Sequence, residues 1–186
     1  MVREVAVNYT EKELFDLGVK HGAQPLISSK ISLYGVLEVG DHVRIDDGCI
    51  FTGDVRIGDY CHIAPYCVFY GKGGIIIGDY SGFSTFCVLH SEIDDYTGGG
   101  MPGAQIPPAY RGALFSAPII VGNSVSGGTR TTIMPGVCIG DGVSIGAHSM
   151  VKSNCDAWGI YAGVPSKLIR MKDGQQRMLL EKAMTT

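Results

Sequence analysis

The residues best suited to chemistry lie in one segment. From His90 the chain reads HSEIDDYTGGGMPGAQIPPAYRG, and residues 90–114 bring His90, Glu92, Asp94, Asp95, Tyr96, Tyr110 and Arg111 into one stretch rich in Gly and Pro. An imidazole, with an ordinary pKa of about 6.5, can take a proton from a substrate near neutral pH. A neighbouring carboxylate can orient that ring and stabilise its protonated form, and tyrosines and a guanidinium can hold a polar acceptor. Long stretches without regular structure are uncommon in compact domains and tend to carry function. The concentration of His, carboxylates and Tyr favours a functional loop over a tolerated insertion. His42 and His62 fall at outward turn positions, where a solvated ring is the simpler reading.

The chain around this loop keeps a six-residue beat. Stepping by six from Ile27 gives Leu33, Val39, Ile45, Phe51, Ile57, Ile63 and Phe69. A two-residue slip at Gly73-Gly74, which should bulge one corner, resets the frame to Ile77, Phe83 and Leu89. The beat returns at Val121, misses at Gly127, and continues through Ile133, Ile139, Ile145 and Val151, with Phe115 and Ile119 already fitting it. Sixteen of the seventeen positions from Ile27 to Val151 are apolar against a 45% background, which excludes chance. A second stripe of small or modest residues, including Cys49, Cys61, Cys67, Ser81, Cys87, Val125 and Thr131, lies four residues after the first. Gly follows the large residue at Gly40, Gly58, Gly78 and Gly122, read here as turns that need positive φ. A period of six is neither helical nor simple strand alternation. It predicts an all-β solenoid of hexapeptide repeats, three hexads to a coil, roughly six coils and about 30 Å long.

The beat divides the chain into 1–26 as an N-terminal cap with a short helix, 27–156 as the solenoid with loop 90–114 inserted, and 157–186 as a tail with a helix. Thr10-Glu11-Lys12-Glu13 reads as a capping box opening a short helix with Leu14, Phe15 and Leu17 on its apolar side. KDGQQRMLLEKAMTT reads as a second helix, whose Met178, Leu179 and Leu180 could pack on the body or on a neighbour. A net charge of -3, without clustered Lys or Arg in the solenoid, argues against nucleic acid or an anionic membrane as partner. No run reaches transmembrane length, and residues 1–30 lack the pattern of a signal peptide. Four of the six cysteines sit on the inward small-residue stripe, and zinc-type Cys-x-x-Cys spacing is absent. Structural, reduced thiols and no metal site follow, and with them a cytoplasmic protein.

The coils followed by IGDGVSIGAHSMV and then WGIYAGVPSKLIR resemble the hexapeptide-repeat acyltransferases, which have a left-handed parallel β-helix. The resemblance covers residues 27–170. AGVPSKLIR is similar to the family's tail, and DDYTGG most resembles sugar acetyltransferases of O-antigen and cell-envelope polysaccharide clusters. The resemblance implies a homotrimer with sites between adjacent prisms and acetyl-CoA, the acyl donor, in the groove. Carried over by position, it puts the pantetheine arm against Thr129 and Ala147, Lys152 and Ser153 near the donor, and Lys167 and Arg170 near its phosphates. There are two departures. The family usually places an inward Val or Ile where this chain has Gly127, after Ser126, so that the gap either widens the donor groove or is filled from elsewhere. The His that galactoside and maltose acetyltransferases carry five residues after the counterpart of Leu89 is Asp94 here, and His90 lies four residues earlier.

The expected reaction moves an acetyl group from a thioester to a sugar hydroxyl or amine. His90 is the expected base, with Asp94 or Asp95 orienting it or binding the acceptor, and an N–H at a Gly-rich corner facing the developing oxyanion. Asp94 as base is the rival, better suited to an amine. Tyr96, Tyr110 and Arg111 are expected acceptor contacts. A trimeric carbonic anhydrase would need a close His pair that is lacking. Acetylation of an antibiotic or small sugar, and a non-catalytic scaffold, are the other readings left open.

Overall fold

The computed structural model describes residues 7–184; the first six residues of the N-terminal segment and the last two of the tail lie outside them. The chain winds into a parallel β-helix. Ser32 pairs with Ile50 and Ile50 with Val68, so a coil takes eighteen residues, the three hexads expected. The first face carries the rungs Lys20–His21, Glu38-Val39, Arg56-Ile57, Ile76-Ile77, Ile120-Val121 and Cys138–Ile139. The second runs from Leu26–Ile27 through Arg44–Ile45, His62–Ile63, Gly82–Phe83, Ser126–Gly127 and Ser144–Ile145 to Ile160-Tyr161. The third stacks Ser32-Leu33, Ile50-Phe51, Val68-Phe69, Val88-Leu89, Thr132–Ile133 and Met150–Val151. Parallel pairing therefore begins before Ile27 and continues past residue 156. The sequence missed these end rungs because His21 is a polar residue on the beat, and because Tyr161 follows Ile145 by sixteen residues, two short of the eighteen-residue coil.

The second residue of almost every rung points inward and is buried, as strand alternation requires. The small stripe fills the corners. Its cysteines and serines are interchangeable there because each donates to a carbonyl of the next coil: Cys61 Sγ to Gly78 O at 3.2 Å, Cys87 Sγ to Gly128 O at 3.1 Å, Ser81 Oγ to Gly122 O at 3.0 Å. All six thiols are free, and burial pushes Cys61 up to about 12 and Cys155 to about 11. The missing inward residue at 127 has a direct cause. A Cβ on Gly127 would stand 2.5 Å from the Phe83 ring, which comes from the previous coil and is 1% exposed. Phe51, Phe69 and Phe83 form an edge-to-face series with centroids 5.3 and 5.9 Å apart, so one large ring does the work of two aliphatic side chains.

The glycines after the large residue serve close approach, which corrects the turn reading. Asp41, Asp59, Asp79, Asn123 and Asp141 form a ladder in which each side-chain oxygen accepts a backbone N–H of the preceding coil at 2.6–2.8 Å. A Cβ at Gly40 would lie 2.0 Å from Asp59 Oδ1, and Gly58 and Gly122 meet the same obstacle. Asp79→Ala, which leaves the Asp59 amide without its acceptor, is expected to cost about 1–2 kcal/mol in urea unfolding, with an unchanged m-value.

The ends follow their local sequence. Thr10 and Glu13 form the reciprocal capping box of α1 (Glu11–Asp16). Only Leu14 enters the core; Phe15 is 79% and Leu17 47% exposed, since six residues give one inward position. At the other end, Gly159–Gly163 and Ser166–Met171 form an antiparallel hairpin around a cis Val164-Pro165 bond. It leads to α2 (Gln175–Met184), held by Arg177 Nη1 donating to Ser124 O at 2.8 Å and by Ser124 Oγ donating to Glu181. Met178, Leu179 and Leu180 stay exposed, so polar contacts dock this helix on its own prism and the apolar side is left for the other place expected of it, a neighbour. The slip at Gly73-Gly74 does bulge one corner: Val68–Ile77 has ten residues where Ile50–Ile57 has eight. No described helix is long and apolar enough to cross a membrane.

Candidate active site

The long insertion leaves the helix after Val88–His90 and returns at Ile119–Val121, which pairs with Ile75-Ile77. Its root is tied to the bulge by Ser91, whose Oγ donates to Tyr70 O at 2.7 Å and accepts Gly73 N–H at 2.9 Å. Phe115 does not resume the beat. It pairs antiparallel with Ile93 in a two-stranded ribbon and is 56% exposed, because the insertion continues to Pro118 before the chain re-enters the coil.

Between this insertion and the prism lies an open cleft of about 320 Å³. Thr52, Tyr70, Lys72 and His90 line its prism side, while Glu92, Asp94, Tyr96 and Arg111 face it from the insertion. Thr52, Tyr70 and His90 are register partners on successive coils, each following the large inward residue of the third face. Sequence reasoning missed Thr52, Tyr70 and Lys72, but the place one step after Phe51, Phe69 and Leu89 was readable from the beat. Met134 and Lys152 continue this column, two coils toward the C-terminus from His90. Lys152 and Ser153 therefore share an edge with the expected base.

His90 stacks on Tyr70 with centroids 4.9 Å apart and planes at 13°. Partial burial lowers its pKa below the ordinary value, so the ring is neutral at pH 7 and can accept a proton. The carboxylates are held otherwise than expected. Arg111 donates twice to Asp94 Oδ1, from Nη2 at 2.6 Å and Nε at 3.1 Å, which leaves Oδ2 for an incoming group. Asp95 accepts from Thr97 N–H at 2.7 Å, from Thr97 Oγ1 and from Gly99 N–H at 2.9 Å, so it organises the loop. Among the described residues no hydrogen bond joins His90 to Asp94 or Asp95, which corrects the expected orienting pair. Arg111, expected as an acceptor contact, lines the cleft while holding Asp94. Tyr96 lines the cleft, whereas Tyr110 is 66% exposed and lies outside its lining. His42 stacks on Tyr60, and His62 Nε2 lies 2.8 Å from Asp46 Oδ2; both stand away from the cleft.

The other candidate donor-binding residues follow the corner between the second and third faces. Thr85 and Thr129 hydroxyls lie 2.9 Å apart. Along this corner the carbonyls of Asp47, Pro65, Thr85 and Thr129 each accept an amide of the following coil. Ala147 is the next in line, and among the described residues its carbonyl takes none, because the chain turns out at Gly163 instead of completing another coil. An exposed, unpaired carbonyl suits an amide-rich ligand arm. Ala162, whose Cβ lies 3.0 Å from a Cβ built on Gly146, brings its hairpin partner Lys167 to the end of the same line. Arg170 pairs with Ile160 further across the second face. From Phe115 onward the chain has seven basic and four acidic residues although its net charge is -3. Arg130, Lys152, Lys167 and Arg170 make no ion pair among the described residues. The C-terminal end of the prism is thus poised for an anionic ligand.

The profile of bacterial transferase hexapeptide (six repeats) matches residues 38–71. The chain is 36% identical over 165 residues to the dTDP-4-amino-4,6-dideoxy-D-glucose acyltransferase of Escherichia coli, covering 86% of this chain and 85% of that protein. It is 34% identical over 138 residues to the lipopolysaccharide biosynthesis O-acetyl transferase WbbJ of E. coli K12, covering 73% and 67%. Among solved structures it superposes on AntD, an N-acyltransferase from Bacillus cereus in complex with dTDP and 3-hydroxybutyryl-CoA, with a TM-score of 0.88 and 37% identity over 96% of this chain and 98% of that one.

Proposed function

The chain belongs to the hexapeptide-repeat transferases and is an acyltransferase, and we propose that it moves an acetyl group from acetyl-CoA to the amine of a nucleotide-linked amino sugar. The observation that carries this reading is an imidazole and an open carboxylate oxygen, His90 and Asp94 Oδ2, in one cleft, in a chain so similar to amino-sugar N-acyltransferases. Asp94 Oδ2 receives the sugar ammonium, and His90 takes its proton. The amine nitrogen then attacks the thioester carbonyl carbon, a C–N bond forms, the C–S bond breaks and the CoA thiolate departs with a proton. Thr129, Ala147 and Lys152 flank the donor arm, and Lys167 and Arg170 meet its phosphates. Tyr96 is the acceptor contact favoured by its place in the cleft; Ser153 and Tyr110 are peripheral to it.

Because burial depresses the His90 pKa, the active neutral ring persists to a lower pH than a free imidazole would allow. Activity on a substrate that does not itself titrate there is expected to fall as pH drops through that pKa, below about 6.5. An acidic limb in the kcat/KM profile that is absent from His90→Asn would be the sign of it. The similarity to WbbJ supports a second reading, in which a polysaccharide or O-antigen precursor receives the acetyl group on a hydroxyl. A homotrimer is part of the proposal, supported by Ile76 and Ile120, paired neighbours left 45% and 36% exposed on the first face. Six free thiols support a cytoplasmic setting.

A calorimetric titration with acetyl-CoA tests the donor. Micromolar-range binding, weakened about tenfold in Lys167→Ala, is the expected outcome. A folded protein that binds no acetyl-CoA would contradict the reading and favour the scaffold alternative.

A further inference from the structure

We propose that the nucleotide of the acceptor lies along the column Tyr70–Thr52–Tyr34, with its base stacked on Tyr34 and its diphosphate beside Lys72. This rests on the nucleotide-sugar reading above and assigns that substrate a place. His90 divides the corner between the third and first faces into two directions. Toward the C-terminus stand Met134 and Lys152, at the end of the prism where Lys152, Lys167 and Arg170 make no ion pair among the described residues. A polyanionic donor belongs there, so an elongated acceptor meeting it at His90 has to approach from the other side.

That side is built for it. The register pairs Tyr34 with Thr52, Thr52 with Tyr70 and Tyr70 with His90. Three rungs of neighbouring strands make a track of about 14 Å, on the scale of an extended nucleoside diphosphate sugar. The cleft already runs along it from His90 to Thr52, with Lys72 on its wall. The Lys72 ammonium lies 3.4 Å from Glu92 Oε1, and its side chain remains 64% exposed. Such an exposed pair holds its cation loosely, so a diphosphate can recruit it. At the far end Tyr34 is 71% exposed, a ring presented to solvent beyond the wall of the cleft. A base has a π-face, and stacking on an aromatic side chain is its usual sequence-tolerant anchor. Charge and shape thus change along one column in the order amine and sugar, diphosphate, base: Asp94 and His90, then Tyr70 with Lys72 on its own coil and Thr52 on the next, then Tyr34.

The test is calorimetric binding of dTDP to the intact protein and to Tyr34→Ala, Tyr34→Phe and Lys72→Met, with coenzyme A titrated into each as a folding control. Tyr34→Ala is expected to bind dTDP at least fivefold more weakly and Tyr34→Phe as the wild type does. Lys72→Met is expected to lose about tenfold and to show a shallower salt dependence. Coenzyme A affinity should be unchanged throughout. If wild-type protein binds dTDP and Tyr34→Ala binds it within twofold as tightly, the base lies elsewhere and the inference fails while the function stands. If Lys72→Met keeps the wild-type affinity and salt dependence, the diphosphate placement fails. If the wild type binds no nucleoside diphosphate, the nucleotide-sugar reading falls, and this placement with it.

Discussion

His90→Ala is expected to lower kcat by about a hundred- to ten-thousandfold, the range for loss of a positioned general base, while acetyl-CoA and dTDP affinities stay near wild type. The separation follows from where the ring sits. His90 lies at the junction of the two proposed substrate paths, stacked on Tyr70, and its side chain takes no part in the hydrogen bonds that tie Ser91 to the bulge. Removing the imidazole therefore leaves the insertion anchored and both binding tracks intact. Asp94→Asn serves as the companion. It keeps the shape and an acceptor oxygen for Arg111 but loses the charge that would attract an ammonium, so its effect should fall mainly on the acceptor KM. A His90→Ala enzyme that turns over at the wild-type rate would move the base to Asp94, the rival that an amine acceptor accommodates.

The largest expected effect on stability is at Phe83. Phe83→Ala should cost about 3–5 kcal/mol, because it empties a site that serves two coils. The ring packs edge-to-face on Phe69 and also occupies the space where Gly127 has no side chain. Gly127→Val should itself cost about 1–3 kcal/mol through overpacking, since its Cβ would meet the ring at 2.5 Å. Combined, a smaller residue at 83 and a larger one at 127 restore the ordinary alternation of the stripe. The double variant Phe83→Ile, Gly127→Val is therefore expected to be more stable than the sum of its single variants allows, measured as a coupling energy in denaturant unfolding. Strict additivity would mean that the two positions do not share one volume.

The fold was legible because its period is covalent: a residue every six positions faces inward whatever the long-range contacts, and the eighteen-residue register follows from three such steps. Reading the same beat one residue later exposes the columns, and with them Thr52 and Tyr70. The insertion was legible as a departure but not as a shape. Asp94 and Asp95 are adjacent in sequence and similar in chemistry, yet one is bound by Arg111 seventeen residues away and the other closes a turn with Thr97 and Gly99. Spacing cannot assign such partners, because they depend on how the loop folds back. Phe115 misled for the reverse reason: it fits the beat, but the chain around it has already been diverted into a ribbon with Ile93. Gly127 looked like a defect from its own position alone, and its explanation lies one coil earlier, at Phe83.

Acyl transfer to the amine of a nucleotide-linked sugar can be read from its product. The most direct measurement is the mass of the product formed when the wild-type protein is incubated with acetyl-CoA and dTDP-4-amino-4,6-dideoxyglucose, with release of the CoA thiol followed in parallel. The expected product is a nucleotide sugar heavier by one acetyl group, acylated on nitrogen, with one thiol freed for each product molecule. Thiol release and acetylation of a hydroxyl-bearing sugar in place of that amine, by a protein that binds acetyl-CoA, would contradict it.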